Sequence, residues 1–181
     1  MNEENQTQSK PVKLNLGCGG VYLDGYINVD HPSSTTKHDV AMDLNSPRWD
    51  FPDGYADEIL IQDTLEHLEK PDQKMFEIHR VLKPGGVVWG GVPYAKSDGA
   101  FQAMEHKWFF TEKSFDAFCE GPGLYACYGK PLFRIEYVKL TEVCNTQKTK
   151  MRNLIPRSLR MVLRHFIWNM FEEVEFKLIK I

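Results

Sequence analysis

The sequence predicts an α/β fold built on a mostly parallel sheet with helices on both faces. Three observations carry that reading. Short apolar or alternating runs recur along the chain and end in glycines or acids, as strands do when they enter turns. Between two such runs, Met75, Ile78 and Leu82 are spaced as one face of a helix. Strands that alternate with helical segments favour parallel pairing, because the crossover supplies the helix.

The elements follow in order. Residues 1–10 are polar and read as a disordered lead-in. Residues 12–16 alternate and run into Gly17-Cys18-Gly19-Gly20, a first strand feeding a glycine turn. Residues 26–30 and 39–44 make the second and third strands, each with a carboxylate near its end. Ile59-Leu60-Ile61 marks a buried fourth strand within residues 56–63. Pro71 opens the helix and Pro84-Gly85-Gly86 is expected to end it. Residues 87–93 form a fifth strand. Thr111 is a candidate N-cap for a helix carrying Phe115, Phe118 and Cys119. Residues 133–140 form the sixth strand, 152–168 a helix and 173–181 the seventh strand.

A length of 181 residues suits one domain, here residues 11–181, with a basic helix inserted at about 151–169 before the last strand. The four cysteines, Cys18, Cys119, Cys127 and Cys144, form no CxxC pair, which argues against a disulfide framework or a structural zinc site. No stretch reaches the roughly 18 apolar residues of a membrane span. A net charge of −3 argues against a generally basic nucleic-acid binder. The expected setting is soluble, reducing and cytoplasmic.

Ligands of parallel sheets gather beyond the carboxyl ends of the strands. The glycine turn, Asp30, Asp43 and Asp63 all fall at such ends, so one pocket can collect them. The dinucleotide fingerprint fails, because Tyr22 stands where the third glycine belongs. Asp30 follows Gly17 by only 13 residues rather than about 20, so any intervening helix must be very short. A carboxylate at Asp30 suits the two hydroxyls of a ribose.

Four segments in this order resemble one family. They are Lys13-Leu14-Asn15-Leu16-Gly17-Cys18-Gly19 with Gly25-Tyr26-Ile27-Asn28-Val29-Asp30, then Asp63-Thr64-Leu65-Glu66-His67-Leu68, then Arg80-Val81-Leu82-Lys83-Pro84-Gly85-Gly86. They are similar to the motifs of class I S-adenosylmethionine-dependent methyltransferases of the small-molecule, type 11-like branch. The resemblance covers residues 12–93 and loosens beyond Pro93, where His106-Lys107-Trp108-Phe109-Phe110-Thr111 is similar to a segment of some members. It implies a Rossmann-like three-layer sandwich with a seven-stranded sheet, the last strand antiparallel, and S-adenosylmethionine as cofactor. It implies that Gly17, Cys18 and Gly19 pass beneath the methionine moiety and that Asp30 holds the ribose. Asp43 and Leu44 would flank the adenine, and Gln62 and Asp63 would lie near the methionyl end. Asn15 stands where the family usually carries an acid for the methionine amine. Either affinity at that end is lower or Asp63 supplies the charge.

The same resemblance implies methylation of a small molecule or sugar, at oxygen or nitrogen. Such transfer needs a positioned acceptor and often a proton acceptor. His67, just after the fourth strand, and His106, in a loop with Trp108, Phe109 and Phe110, are the candidate bases. Glu66 reads as structural, and no residue pattern suggests a metal. The alternative function is a non-catalytic binding or scaffolding subunit on the same fold.

Residues 146–171 hold Lys148, Lys150, Arg152, Arg157, Arg160 and Arg164 and no acid. Leu159, Val162, Leu163, Phe166 and Ile167 form one helical stripe, and Arg157, Arg160 and Arg164 form another. The plain expectation packs the apolar stripe inward and leaves the arginines in water. A sharper one sets the arginines, Met161 and Trp168 against an anionic membrane, placing the protein peripherally at the inner membrane face.

Overall fold

Seven strands form one sheet: β1 (Lys13–Leu16), β2 (Ile27–Asp30), β3 (Val40–Ala41), β4 (Ala56–Ile61), β5 (Leu82–Pro93), β6 (Phe133–Thr141) and β7 (Glu173–Lys180). Their spatial order is β3-β2-β1-β4-β5-β7-β6. The first five pair in parallel, and β7 inserts between β5 and β6, antiparallel to both. The structure is a computed structural model and describes residues 10–121, 129–142, 152 and 154–181. The expected disordered lead-in, apart from Lys10, lies outside the described residues, as do Cys127, Cys144, Lys148 and Lys150.

The strand order reverses between β1 and β4, where Leu16 pairs with Ile61. That reversal opens a crevice at the carboxyl ends of both strands. Leu14, Leu16, Val29, Ile59, Ile61 and Val88 are fully buried, as strands covered on both faces require.

Helical cover is thinner than the sequence pattern implies. The connections from β1 to β2, from β2 to β3 and from β3 to β4 contain turns and no helix among their residues. The short spacing from Gly17 to Asp30 leaves no room for one. A polar brace holds the first connection instead. Asn15 Nδ2 donates to Val21 O and to Asn28 Oδ1, both at 2.9 Å, and Leu23 N donates to Asn28 Oδ1 at 2.9 Å. Asn28 in turn donates to Asp39 from its backbone and its side chain.

Helix α1 (Pro71–Val81) begins on its proline and buries Met75, Ile78 and Val81. It stops earlier than Pro84-Gly85-Gly86, because β5 already starts at Leu82. Proline forces the residue before it into extended backbone, so Lys83 cannot continue the helix. The helix expected after Thr111 is only a 3-10 turn at Asp116–Phe118. There Thr111 N–H donates to Ser114 Oγ and Lys113 N–H to Thr111 Oγ1, local bonds that compete with helix propagation.

Helix α2 (Arg157–Leu163) is shorter than expected, and its faces are reversed. Val162 is 57% exposed and the Phe166 beyond it 82%, whereas Arg160 is 7% exposed. Arg160 pairs with Glu142, Arg164 with Glu112, and Arg152 with Glu172 at 2.8 Å. The Arg160 guanidinium also lies over the Phe171 ring, 5.4 Å from its centroid. Neither expected arrangement holds. Of the apolar stripe only Leu163 packs against the core, and of the arginine stripe Arg160 and Arg164 turn onto acids while Arg157 stays exposed. No helix of the described residues is long and apolar enough to cross a membrane.

Candidate functional site

Two cavities meet at the carboxyl ends of β1, β4 and β5. The smaller, about 250 Å³, is lined by Gly17, Gly19, Asp30, Asp43, Leu44 and Asp63, and also by Met42, Asn45, Thr64 and Leu68. The larger, about 680 Å³, is lined by Glu66, His106, Arg152, Trp168, Glu172 and Glu173 among others. Asp63 and His67 wall both cavities.

Gly17 turns at φ +69°, and a Cβ there would strike the Thr64 side chain, with Cγ2 at 2.7 Å. The turn can therefore press against the β4 loop only as glycine. Gly17 N–H and Cys18 N–H both donate to Val29 O, at 2.9 and 3.0 Å. This ties the turn to β2 and engages the two N–H groups that a ligand would otherwise meet. Cys18 is buried and does not line either cavity, and burial pushes its thiol pKa up.

Asp30 Oδ2 accepts from Ser34 Oγ at 2.7 Å and Thr36 Oγ1 at 3.2 Å, and Oδ1 accepts from His31 N–H at 2.8 Å. Burial alone would raise its pKa. The hydrogen bonds from Ser34, His31 and Thr36 outweigh that and hold it below the usual carboxylate range. Two hydroxyls on one carboxylate oxygen are the same chemistry that a ribose diol presents. Asp43 Oδ1 accepts from Asn45 N–H at 2.8 Å, and Leu44 O accepts from the Trp49 indole at 3.1 Å. Met42, Leu44 and Leu68 supply apolar wall between these acids.

Asp63 sits at φ +45°, a left-handed conformation uncommon outside glycine. Its N–H donates to Gly91 O at 2.9 Å, which fixes it between β4 and β5. Gln62 lies beside the cavities rather than on their walls. Its Nε2 donates to Glu173 and to Asp63 Oδ2 at 3.2 Å, so it orients two acids. Asn15 is 3% exposed and faces its brace partners, away from both cavities.

The 3-10 turn Leu65–His67 follows β4 directly. The loop after β5 is clamped onto this segment by three contacts from the two residues that follow His106. Lys107 N–H donates to Glu66 O at 2.8 Å, Lys107 pairs with Glu69 at 2.5 Å, and the Trp108 indole donates to Leu68 O at 2.8 Å. The His67 and His106 rings thereby meet edge to face, with centroids 4.7 Å apart. Burial and the neighbouring His106 lower the His67 pKa, so His67 is neutral at pH 7. Glu66 is 1% exposed, and neither carboxylate oxygen has a hydrogen-bond partner. Burial, with the charges of Asp63 and Glu173, pushes it up to about 8.

The residues read from strand ends thus come together, apart from Asn15, Cys18 and Gln62. Glu173 was not legible as a site residue, because its place depends on β7 threading back beside β5. Met42, on the wall of the smaller cavity, was not singled out in the sequence, although it stands one residue before Asp43 at the same strand end.

Residues 14–90 match the model of the methyltransferase domain family. No curated protein matches the chain. Among solved structures, an S-adenosylmethionine-dependent methyltransferase from Archaeoglobus fulgidus superposes with a TM-score of 0.64 at 17% identity, over 94% of this chain and 86% of that one. One from Mesorhizobium loti gives 0.57 at 14% identity, over 94% and 91%. A chain in a Haloferax volcanii complex that contains the Trm112 methyltransferase activator gives 0.60 at 13% identity, over 96% and 83%. Two of these structures are described as S-adenosylmethionine-dependent, and the residues of the smaller cavity fit that cofactor. Asp30, Asp43 and Asp63 suit a ribose, an adenine amine and a cationic methionyl end, and the apolar wall suits the adenine ring. Residues 14–90 therefore resemble the methyltransferase domain of that family, within a chain that shares the fold of these methyltransferase structures.

Proposed function

We propose that the protein transfers a methyl group from S-adenosylmethionine to an oxygen or nitrogen of a small-molecule or sugar acceptor held in the larger cavity. The observation that carries this reading is the shared wall. Asp63 and His67 border both cavities, so a cofactor in one and an acceptor in the other meet beside them. Bound S-adenosylmethionine supplies an electrophilic methyl carbon on a sulfonium cation.

The chain's own groups do the rest. Asp30 holds the ribose hydroxyls, and Asp43 with Leu44 holds the adenine. Asp63 places a carboxylate beside the cationic end. A low-dielectric wall strengthens that attraction. Burial and the neighbouring His106 favour the neutral imidazole of His67, which offers a ring nitrogen lone pair for an acceptor proton. Trp168 lines the larger cavity and is braced from behind by Phe101, 5.6 Å away, which itself stacks on Phe109 at 4.5 Å.

A cofactor-binding subunit without turnover is the second reading. The inward orientation of Asn15 favours it, because Asp63 is then left alone to meet the methionine amine. Calorimetry with S-adenosylmethionine and S-adenosylhomocysteine is the first test. Binding of both, with methylated product from a panel of sugar and phenol acceptors, is the expected result. Absence of binding at millimolar ligand removes the reading, and binding without turnover across the panel favours the second.

A further inference from the structure

The larger cavity contains a cluster that methyl transfer alone does not explain. Glu66, His67 and His106 each offer one ligand atom, and these atoms lie within 4.8 Å of one another. Two of the residues come from the turn after β4 and the third from the loop after β5. The clamp through Lys107 and Trp108 holds the two segments together.

His106 is oriented as a metal-binding histidine is. His106 Nδ1 lies 3.1 Å from Ala100 O, and the tautomer that donates there leaves Nε2 with a lone pair. A backbone carbonyl that fixes the tautomer is the usual outer partner of a metal-bound imidazole. Glu66 is the independent observation. A carboxylate that is 1% exposed with both oxygens unpaired demands a partner that the protein does not supply.

We propose that Glu66, His67 and His106 bind a first-row divalent cation of the zinc class, with its open coordination positions facing the larger cavity. Two imidazoles and one carboxylate are a three-ligand catalytic set rather than a closed structural one. Ligand distances of about 2.0–2.2 Å require the three atoms to draw together by about 1 Å, within the reach of side-chain rotation. Water or an acceptor oxygen completes the shell. With the cation bound, both imidazole lone pairs are engaged, and activation of the acceptor passes from His67 to the cation. That last consequence rests on the methyltransferase reading; the binding site itself does not.

The test is calorimetric titration of Zn²⁺ into tag-free, chelator-treated full-length protein, with S-adenosylhomocysteine titrated separately. One Zn²⁺ per chain is expected. Glu66→Gln and His106→Ala should each weaken it at least tenfold, and His165→Ala should leave it unchanged. Because Glu66 and His106 do not line the smaller cavity, both variants should keep their affinity for S-adenosylhomocysteine, which also shows that they fold. Absence of saturable Zn²⁺ binding overturns the proposal. So does binding that Glu66→Gln and His106→Ala leave intact, since Zn²⁺ then sits on surface histidines. Loss of cofactor binding with Zn²⁺ binding retained counts against the methyltransferase reading and upholds the metal site.

Discussion

Asp30 shows how much one side chain settles. It ends β2, lies on the wall of the smaller cavity and already accepts two hydroxyls and an amide. On the proposed reading, a ribose diol would replace Ser34 and Thr36 on Oδ2 without any change in the chemistry of the contact. Hydrogen bonds to a charged acceptor contribute about 1.5–3 kcal/mol each. Asp30→Ala should therefore weaken S-adenosylhomocysteine binding by at least tenfold in calorimetry. Its melting temperature should stay within a few degrees of the wild type, since the partners it loses are exposed and can turn to water. An unchanged affinity would mean that another group holds the ribose. Asp30 was legible because an acid at the end of a second strand, after a glycine turn, has few other uses. Asn15 is the opposite case. Its position matches a cofactor contact in the family, but here the missing helix makes it a structural brace. Glu66 was passed over because burial and the lack of partners are properties of three-dimensional packing, and its neighbour His106 lies on another loop.

Among the elements, α1 shows how a helix is locked to the sheet. Arg80, in its last turn, donates to Glu77, to Phe51 O at 2.7 Å and to Trp49 O at 3.0 Å. Glu77 Oε2 accepts from Trp49 N–H at 2.9 Å. Burial would raise the Glu77 pKa, but the bonds from Arg80 and Trp49 outweigh it and hold it below the ordinary value of 4.5. A carboxyl with a lowered folded pKa adds stability above its unfolded pKa and loses it as pH falls through the folded one. Arg80→Ala leaves Glu77 and two carbonyls without their partner and should cost about 2–4 kcal/mol near neutral pH. The deficit should shrink as pH falls below 4.5 and through the lowered folded pKa of Glu77. Urea melts at pH 7 and pH 3.5 would check both, and an equal deficit at the two values would show that Glu77 is not the partner that matters. Strands and α1 were readable within a few residues because period and proline mark them. The ends were not, since Pro84 acts one residue upstream of itself and the turn at Thr111 is decided by side-chain bonds.

For the molecule as a whole, charge is distributed by sequence and neutralised by folding. Residues 1–145 carry 14 basic and 22 acidic side chains, and residues 146–181 carry 8 basic and 3 acidic. Read along the chain, that contrast suggests a basic tail available to an anionic partner. In the fold, Arg152, Arg160 and Arg164 turn onto Glu172, Glu142 and Glu112, so the tail closes against acids of its own chain. A helical wheel shows that α2 has an apolar stripe and an arginine stripe, but not which of them faces inward. The inward arginines make an opposite pair of expectations for two substitutions. Arg160→Ala removes a nearly buried ion pair and its stacking on Phe171, and should cost about 2–4 kcal/mol. Phe166→Ser changes a ring that is 82% exposed and should stay within about 0.5 kcal/mol of the wild type. Denaturant unfolding of both variants decides between the two orientations. A helix that docks through its apolar stripe would give the reverse order, with the phenylalanine costly and the arginine neutral.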